Sequence, residues 1–202
     1  MVVKAREEGV NANVFRVGNL VFDSATGIFQ ENITNNAFYA VIRSCINLGC
    51  FPETKEKNIN FSFIDQVAKA VVLLFDRKKL QNETYHLYNS HTVSMSFVAE
   101  LISQAGVKVK IIPPAEFVEN LLKKYDDKDK TDDITQILVH TNMLSGSMEK
   151  TSFTLLNNKT DVILKAAGFE WSRLDREKVK LMLEHCIKVG FININNGKME
   201  NK

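Results

Sequence analysis

No Gly-x-Gly-x-x-Gly turn occurs anywhere in the 202 residues, so the sequence offers no glycine cradle for phosphate at a helix N-terminus. It also has no secretory leader pattern and no apolar run of about 18 residues. Secretion and membrane spanning are therefore disfavoured, and a cytoplasmic protein is expected. Neither sign of charge dominates: 26 basic and 24 acidic side chains leave a formal charge of +2. The charged runs alternate in sign, so no basic face for nucleic acid stands out. Cys45, Cys50 and Cys186 form no Cys-x-x-Cys pair and are odd in number, which fits reduced thiols rather than a disulfide framework. His86, His91, His140 and His185 show no His-x-x-x-His spacing, and no metal centre is expected from them. No internal repeat at solenoid spacing is present. What remains, 45% hydrophobic and 25% charged residues, is the composition of an ordinary globular chain of one or two domains.

The chain opens on a helical stretch, Met1 to Gly9, that runs straight into a short strand at residues 13–17. An α-to-β step of this kind normally sits inside a βαβ series, so the sequence reads as the second half of a larger fold. Ala37 to Leu48 carries Phe38, Val41, Ile42, Cys45 and Ile46 at helical spacing. Asn60 to Ile64 reads as a strand end that passes into a helix to Phe75, with Asp65 placed to cap it. A strand at Thr84 to Tyr88, a helix from Ser94 or Ser96 to Gln104 closed by Gly106, and a strand at Val107 to Ile112 follow. After Pro113-Pro114 a helix runs from Ala115 to Lys124, with Phe117, Val118, Leu121 and Leu122 inward. The run Asp126 to Asp133 has no apolar residue and reads as a solvated loop or an exposed helix start. Short helices at Asp133 to Thr141, Asn158 to Ala167 and Asp175 to Val189 complete the pattern, and the Asn-rich tail is polar.

Three stretches together carry a family resemblance. They are Val14-Phe-Arg-Val-Gly-Asn-Leu20 followed by Thr26-Gly-Ile-Phe-Gln-Glu-Asn32; Asn35-Asn-Ala-Phe-Tyr39 leading to Leu48-Gly-Cys-Phe-Pro52; and Asn60-Phe-Ser-Phe-Ile-Asp-Gln-Val-Ala68. In order and spacing the chain, from about residue 2 to 190, resembles the C-terminal half of thioester reductase domains. These are extended short-chain dehydrogenase/reductase folds attached to nonribosomal peptide synthetases and related carrier-protein enzymes. The Asn-Ala-Phe-Tyr segment with its following Leu-Gly-x-x-Pro is the more specific part.

The resemblance implies an α/β fold: the last strands of a partial Rossmann-type sheet, then a C-terminal helical substrate-binding subdomain. On that basis residues 1–124 form the reductase-like part with substrate-binding insertions, 125–192 a helical, carrier-facing cap and 193–202 a tail. It implies a parent reaction in which hydride from NADPH releases a carrier-bound acyl or peptidyl thioester as aldehyde or alcohol. The family's Tyr-x-x-x-Lys pair stands on the helix before the Arg-x-Gly strand; here that helix holds Lys4 and no preceding tyrosine, so no catalytic residue is carried over. The chain alone is accordingly expected to bind no NADPH and to be inactive.

By the same resemblance Gly18, Asn19 and Leu20, at the end of a parallel strand, line the cofactor crevice, against the plain alternative of a strand-to-loop turn. Phe29, Phe38 and Tyr39 line the acyl pocket or, alternatively, pack as core. Adjacent aromatics on a helix do not share a face, which favours Phe38 as core and Tyr39 as pocket or surface. Arg16 reads as a paired, partly buried structural charge. The apolar positions of the last two helices, from Leu155 and Leu156 to Trp171 and Ile187, read as a small cap, and Lys178, Lys180 and Lys188 are candidates for an acidic carrier surface or simply a solvated face. An earlier parallel strand missing beside Val14 would leave an edge that favours a homo-oligomer. The rivals are another extended short-chain reductase of sugar-nucleotide epimerase or dehydratase type, and a non-catalytic interaction module.

Overall fold

The computed structural model describes residues 1–75, 77, 81–124, 131–141 and 157–193. In chain order these form α1 (Val2–Glu7), β1 (Val14–Val17), β2 (Leu20–Val21), a 3-10 turn (Ile33–Asn35), α2 (Ala37–Leu48), β3 (Cys50–Pro52) and β4 (Ser62–Phe63). There follow α3 (Ile64–Phe75), β5 (Thr84–Leu87), α4 (Met95–Gln104), β6 (Lys110–Ile112), α5 (Pro114–Lys124), α6 (Thr131–Thr141), α7 (Asn158–Ala166) and α8 (Arg176–Lys188). The charged stretch 125–130, Leu155, Leu156 and the tail from 194 lie outside the described residues.

Every strand pair is parallel: β1 with β5, β2 with β4, β3 with β6. Parallel neighbours need crossover connections, and helices supply them here, so the chain is a mixed α/β fold with short Rossmann-like sheets, as its sequence pattern predicts. Its residues cluster into two units. One comprises Met1–Ser24, Asn60–Thr92 and the described part of Phe153–Leu174; the other comprises Ala25–Ile59, Val93–Ser152 and Asp175–Lys202, again where described.

In the first unit β1 and β5 run in register from Val14 opposite Thr84 to Val17 opposite Leu87. One face of this ribbon is apolar, with Phe15 stacked on Tyr85 at 5.7 Å between ring centres. Against it pack Val67, Ala70 and Leu74 of α3, Leu164 of α7, and Phe169 and Trp171 beyond α7. Burying each of the larger of these side chains contributes about 1.5–3 kcal/mol, which makes this cluster the unit's principal support. Arg16 follows Phe15 in the strand and so falls on the opposite face. It is exposed, not the partly buried charge expected, because that side of the ribbon is open to solvent. The start of the chain is held by Arg6, whose Nε donates to Ala12 O and whose second guanidinium nitrogen donates to Glu83 O, each at 2.9 Å.

In the second unit α2 is enclosed on nearly all sides: eight of its residues, Tyr39, Ala40, Val41, Ile42, Ser44, Cys45, Ile46 and Leu48, are buried. Asn36 caps it by accepting from Tyr39 N, and Gly49 ends it at φ +75°, a conformation glycine adopts without a Cβ penalty. α2 packs on α6, where buried Asp133 accepts from Ser44 Oγ at 3.1 Å and from Asn47 Nδ2 at 3.0 Å. α4 starts at Ser94, which accepts from Phe97 N, while Ser96 instead accepts from Thr54 N at 2.7 Å. α8 packs on α4 and starts at Asp175, which accepts from Lys178 N. Of the two apolar helices read as a cap, α7 thus packs in the first unit and α8 in the second. β6 begins at Lys110, three residues later than the strand predicted from Val107, whose side chain is nonetheless buried.

Candidate functional site

Four chain segments of the first unit come together: β1 where it ends at Gly18, the stretch Asn60 to Phe63 that leads into β4, β5 where it ends before Asn89, and the loop at Ser172. For β1 and β5 this is the carboxyl end, the side where ligands bind in a parallel α/β sheet, whereas β2 and β4 begin here. The meeting point is built over a buried polar network. Asn60 Nδ2 donates to Asn89 O at 2.5 Å, and Ser62 Oγ donates to Asn60 Oδ1 at 2.6 Å. Asn89 N donates to Ser62 Oγ at 3.3 Å, while Asn89 Nδ2 donates both to Phe61 O and to Ser172 O at 2.8 Å. Asn89 Oδ1 in turn accepts from His91 N at 3.0 Å, and the Gln66 side chain brackets Ser172 through its amide oxygen and nitrogen. Asn60, Ser62 and Asn89 are 5%, 0% and 1% exposed, so each of these bonds replaces water that burial removed.

Gly18 lies directly on this network. A Cβ at Gly18 would stand 2.6 Å from Asn60 Oδ1 and 2.8 Å from Ser62 Oγ, so only glycine lets the backbone come this close. Its N–H donates to Leu87 O at 2.8 Å, and the next carbonyl, of Asn19, accepts from Ser62 N at 3.1 Å. The Asn19 side chain donates to Asn60 O at 3.4 Å, and Leu20 is exposed at the start of β2, opposite Ser62. The three residues predicted for the crevice are therefore contiguous, anchored by backbone bonds at a strand end, with Leu20 presented to solvent. Below the same loop, Asp65 does not cap α3, which already begins at Ile64. Its carboxylate accepts instead from Ser24 N at 2.8 Å and Ser24 Oγ at 2.7 Å, fixing the chain as it leaves β2.

Phe29, Phe38 and Tyr39 lie in the second unit. Phe29 stacks on Tyr39 at 4.5 Å between ring centres, and Phe191 meets Tyr39 edge-on at 6.4 Å. Tyr39 is fully buried and Phe38 only half-buried, the reverse of the predicted assignment. The cause is tertiary: the Phe29 and Phe191 rings close over Tyr39, and stacked or edge-on rings add to what burial alone contributes. Gly27 sets the course of the segment carrying Phe29. It adopts φ +72° and lies so close to α8 that a Cβ would fall 2.3 Å from the Leu181 carbonyl.

The titratable groups show little sign of poised chemistry. Burial pushes the Cys45 thiol far up and the Cys186 thiol up to about 12, so neither is a nucleophile at neutral pH. Burial likewise raises Tyr85 and Tyr88. Among the described residues no three His, Cys, Asp or Glu side chains gather in a way that could hold a metal. On α8, Lys178 is bonded to the Asp175 carboxylate and Lys180 lies 3.9 Å from Glu184, which leaves Lys188 the least engaged of the three lysines considered for a carrier surface.

Residues 1–71 match the family model described as male sterility protein, a set of NAD-binding domains. Over 191 residues, 94% of this chain, the sequence is 24% identical to a linear gramicidin synthase of Brevibacillus parabrevis, of which the match covers 4%. Among solved structures, the thiolation-reductase di-domain of an archaeal non-ribosomal peptide synthetase superposes with a TM-score of 0.79 at 23% identity, over 95% of this chain and 39% of that one. The terminal R domain of the myxalamid PKS-NRPS pathway gives 0.75 at 19% identity, over 95% and 47%. The fold is that of a peptide-synthetase reductase domain. The reductase domain of the aureusimine biosynthetic cluster agrees, at 0.70 and 19% identity over 93% of this chain. This chain spans under half the length of each of these structures. The resemblance read over about residues 2 to 190 agrees in extent with these matches.

Proposed function

We propose that this chain is the substrate-binding and carrier-facing part of an NADPH-dependent thioester reductase, which releases a carrier-bound acyl or peptidyl thioester as aldehyde or alcohol. The observation that carries this reading is the agreement of 95% of the chain with a reductase domain at a TM-score of 0.79. Two local features support it. Gly18, Asn19 and Leu20 form a backbone-anchored strand end of the kind that borders a nicotinamide, and the polar network below them gives the edge a fixed position. Of the aromatic cluster, Phe29 and Tyr39 are buried and stacked while Phe38 is half-buried, so in this reading Phe38 is the ring that meets the acyl chain, with the other two as its support.

The residues present fit only the nicotinamide-facing rim of a dinucleotide site. No Gly-x-Gly-x-x-Gly turn is available for the pyrophosphate, and no tyrosine stands four residues before a lysine anywhere in the sequence. The bound dinucleotide would supply the hydride; these residues would hold the rim and exclude water. Hydride transfer also needs an acid at the developing alkoxide, which this sequence does not provide in the family's form. On its own the chain therefore does not turn over. Lys188 and its neighbours on α8 form the carrier-facing surface in this reading.

The test is NADPH oxidation with an acyl-pantetheine thioester. The chain alone should be silent, and mixing it with, or joining it to, a nucleotide-binding half of a reductase domain should give aldehyde. Aldehyde formed by the chain alone would overturn the predicted inactivity, and a silent joined protein of native fold would overturn the reductase reading.

A further inference from the structure

Arg43 is the one charged residue of α2, and both of its neighbours in the helix, Ile42 and Ser44, are buried. Its own side chain is held in the same packing, 23% exposed, with the guanidinium carbon 5.0 Å from the centre of the Phe191 ring. One terminal nitrogen lies 3.6 Å from Asp132 Oδ2, beyond a good hydrogen bond but within ion-pair range. Nε is buried and has no acceptor, and among the described residues it is the only buried side-chain nitrogen or oxygen so placed. A buried guanidinium N–H that meets nothing is costly, so this position calls for an oxygen.

Arg43 lines a cavity of about 280 Å³ in the second unit, together with Asn47, Asp132, Asp133 and Phe191. Asp133 is 7% exposed and accepts from Ser44 Oγ and Asn47 Nδ2, both neutral. No cation among the described residues stands within ion-pair distance of it. Asp132 is exposed at the rim. The lining thus sets two carboxylates against one guanidinium. The start of α6 adds roughly half a positive charge beside them, which still leaves the described lining net negative.

Two requirements follow for a ligand. It must bring an oxygen acceptor to Arg43, and it must bring positive charge to the carboxylates. A phosphate or free carboxylate meets the first and fails the second, since like charges brought together oppose binding. The two requirements must also be met close together, because Arg43 and Asp132 are only 3.6 Å apart. An ammonium and an uncharged carbonyl carried on one carbon satisfy both. The volume lies at the low end for ligand sites, enough for one group of amino-acid size, and the Phe191 ring gives it an apolar side.

We infer that this cavity binds an aminoacyl group. Its carbonyl oxygen accepts from Arg43 Nε, its ammonium lies against the Asp132 and Asp133 carboxylates, and its side chain meets Phe191. Two sources share this chemistry: a small amino acid amide or ester, and the N-terminal residue of a peptide. The site does not depend on the reductase reading, since binding is measured without turnover.

The test titrates the whole ¹⁵N-labelled chain with L-leucinamide at pH 6, below the α-amino pKa of about 7.7–8.0. The Arg43 Nε–H resonance, assigned by its loss in Arg43→Lys, should move saturably. N-acetyl-L-leucinamide, which lacks the charge, and 3-methylbutylamine, which lacks the carbonyl, should each bind about tenfold more weakly or worse. Arg43→Lys, which keeps the charge without Nε–H, and Asp132→Asn, at an exposed position, should weaken leucinamide by a similar factor, read from backbone amide shifts. Both should keep the unliganded amide spectrum, and Glu119→Gln on α5 should change nothing. Leucyl-glycyl-glycinamide binding as tightly as leucinamide supports the site with a peptide N-terminus as source; its exclusion supports a small amino acid derivative. An unmoved Nε–H resonance, binding of 3-methylbutylamine or N-acetyl-L-leucinamide equal to that of leucinamide, or an Asp132→Asn protein that binds as the parent does would overturn the assignment.

Discussion

Gly18→Ala is the most direct probe of the strand-end network, because the collision it creates is specified atom by atom. The new methyl would sit 2.6 Å from Asn60 Oδ1 and 2.8 Å from Ser62 Oγ, against Tyr88 Cδ2 at 3.1 Å on the third side. Neither polar side chain is free to swing away. Asn60 is tied through Nδ2 to Asn89 O, and Ser62 Oγ both donates to Asn60 and accepts from Asn89 N. Making room therefore means breaking one buried hydrogen bond, and a buried polar group stripped of its partner costs about 1–3 kcal/mol. Against this, alanine restricts the unfolded chain and returns about 0.4–1 kcal/mol. The net expectation is a loss of about 1 kcal/mol or somewhat more. Urea unfolding followed by Trp171, which sits in the core of the same unit, measures it.

The decisive measurement is the double-mutant cycle with Asn60→Ala. On its own that substitution removes the bonds to Asn89 and Ser62 and should destabilise by about 1–3 kcal/mol. Combined with Gly18→Ala, it also removes the closest atom the methyl meets, so the pair should lose less than the sum by about 0.5 kcal/mol or more. Additive losses, or a Gly18→Ala protein as stable as the parent, would refute the claim that Gly18 is there because the network stands against it.

Other consequences follow from the same geometry. Gly27→Ala should be more damaging than Gly18→Ala, since the methyl meets α8 backbone at 2.3 Å, which no rotamer relieves, and the φ of +72° adds about 1–2 kcal/mol; the urea midpoint reports it. Asp175→Ala should cost about 1 kcal/mol through loss of the α8 cap, while Asp175→Asn, which retains a capping oxygen, should cost less. Partial burial raises Asp175, but its bonds from Lys178 outweigh that and leave the carboxyl below its usual range. A group lowered by folding stabilises above its unfolded pKa, about 3.9, and loses that contribution as pH falls through the lower folded value. Parent and Asp175→Asn should therefore converge in stability as acid is added, and a gap that widens below pH 4 would contradict the assignment. The three buried thiols should resist alkylation in the native protein at pH 8 and react on unfolding; rapid native labelling of Cys186 would contradict a thiol pushed up to about 12.

How much of this was legible in the sequence depended on whether the cause was local. α2 begins and ends where its residues predict because all of its signals are its own: an Asn cap, apolar residues at helical spacing, and a glycine stop. α4 and α8 likewise start at Ser94 and Asp175, whose side chains cap their own first turns. Phe38 and Tyr39 were assigned the wrong way round because the deciding partners, Phe29 and Phe191, lie 10 and 152 positions from Tyr39, outside any helical period. Asp65 had the right residue type and place for a cap, yet Ser24, 41 positions earlier, takes its carboxylate.

The strand-end network was missed for a different reason. Asn60, Ser62 and Asn89 belong to the residue types that mark turns, and polarity next to a short strand reads as the strand's end. The available signal was a coincidence across segments: Gly-Asn after β1, Asn-x-Ser around β4 and Tyr-Asn after β5, all at the same level of parallel strands. A solvated loop needs no such agreement, whereas three small polar side chains buried together must satisfy one another or destabilise the fold. Asn89 makes the point most sharply. Its one amide fixes β4 through Phe61, the loop at Ser172, and His91, so a single side chain that looks like turn chemistry in the sequence sets both the rim beside Gly18 and the opening in front of Trp171. Because both are set from one buried residue, Asn89→Ala should disturb the edge at Gly18 and the native fluorescence of Trp171 together, and a change confined to one of them would show that the two features are independently supported.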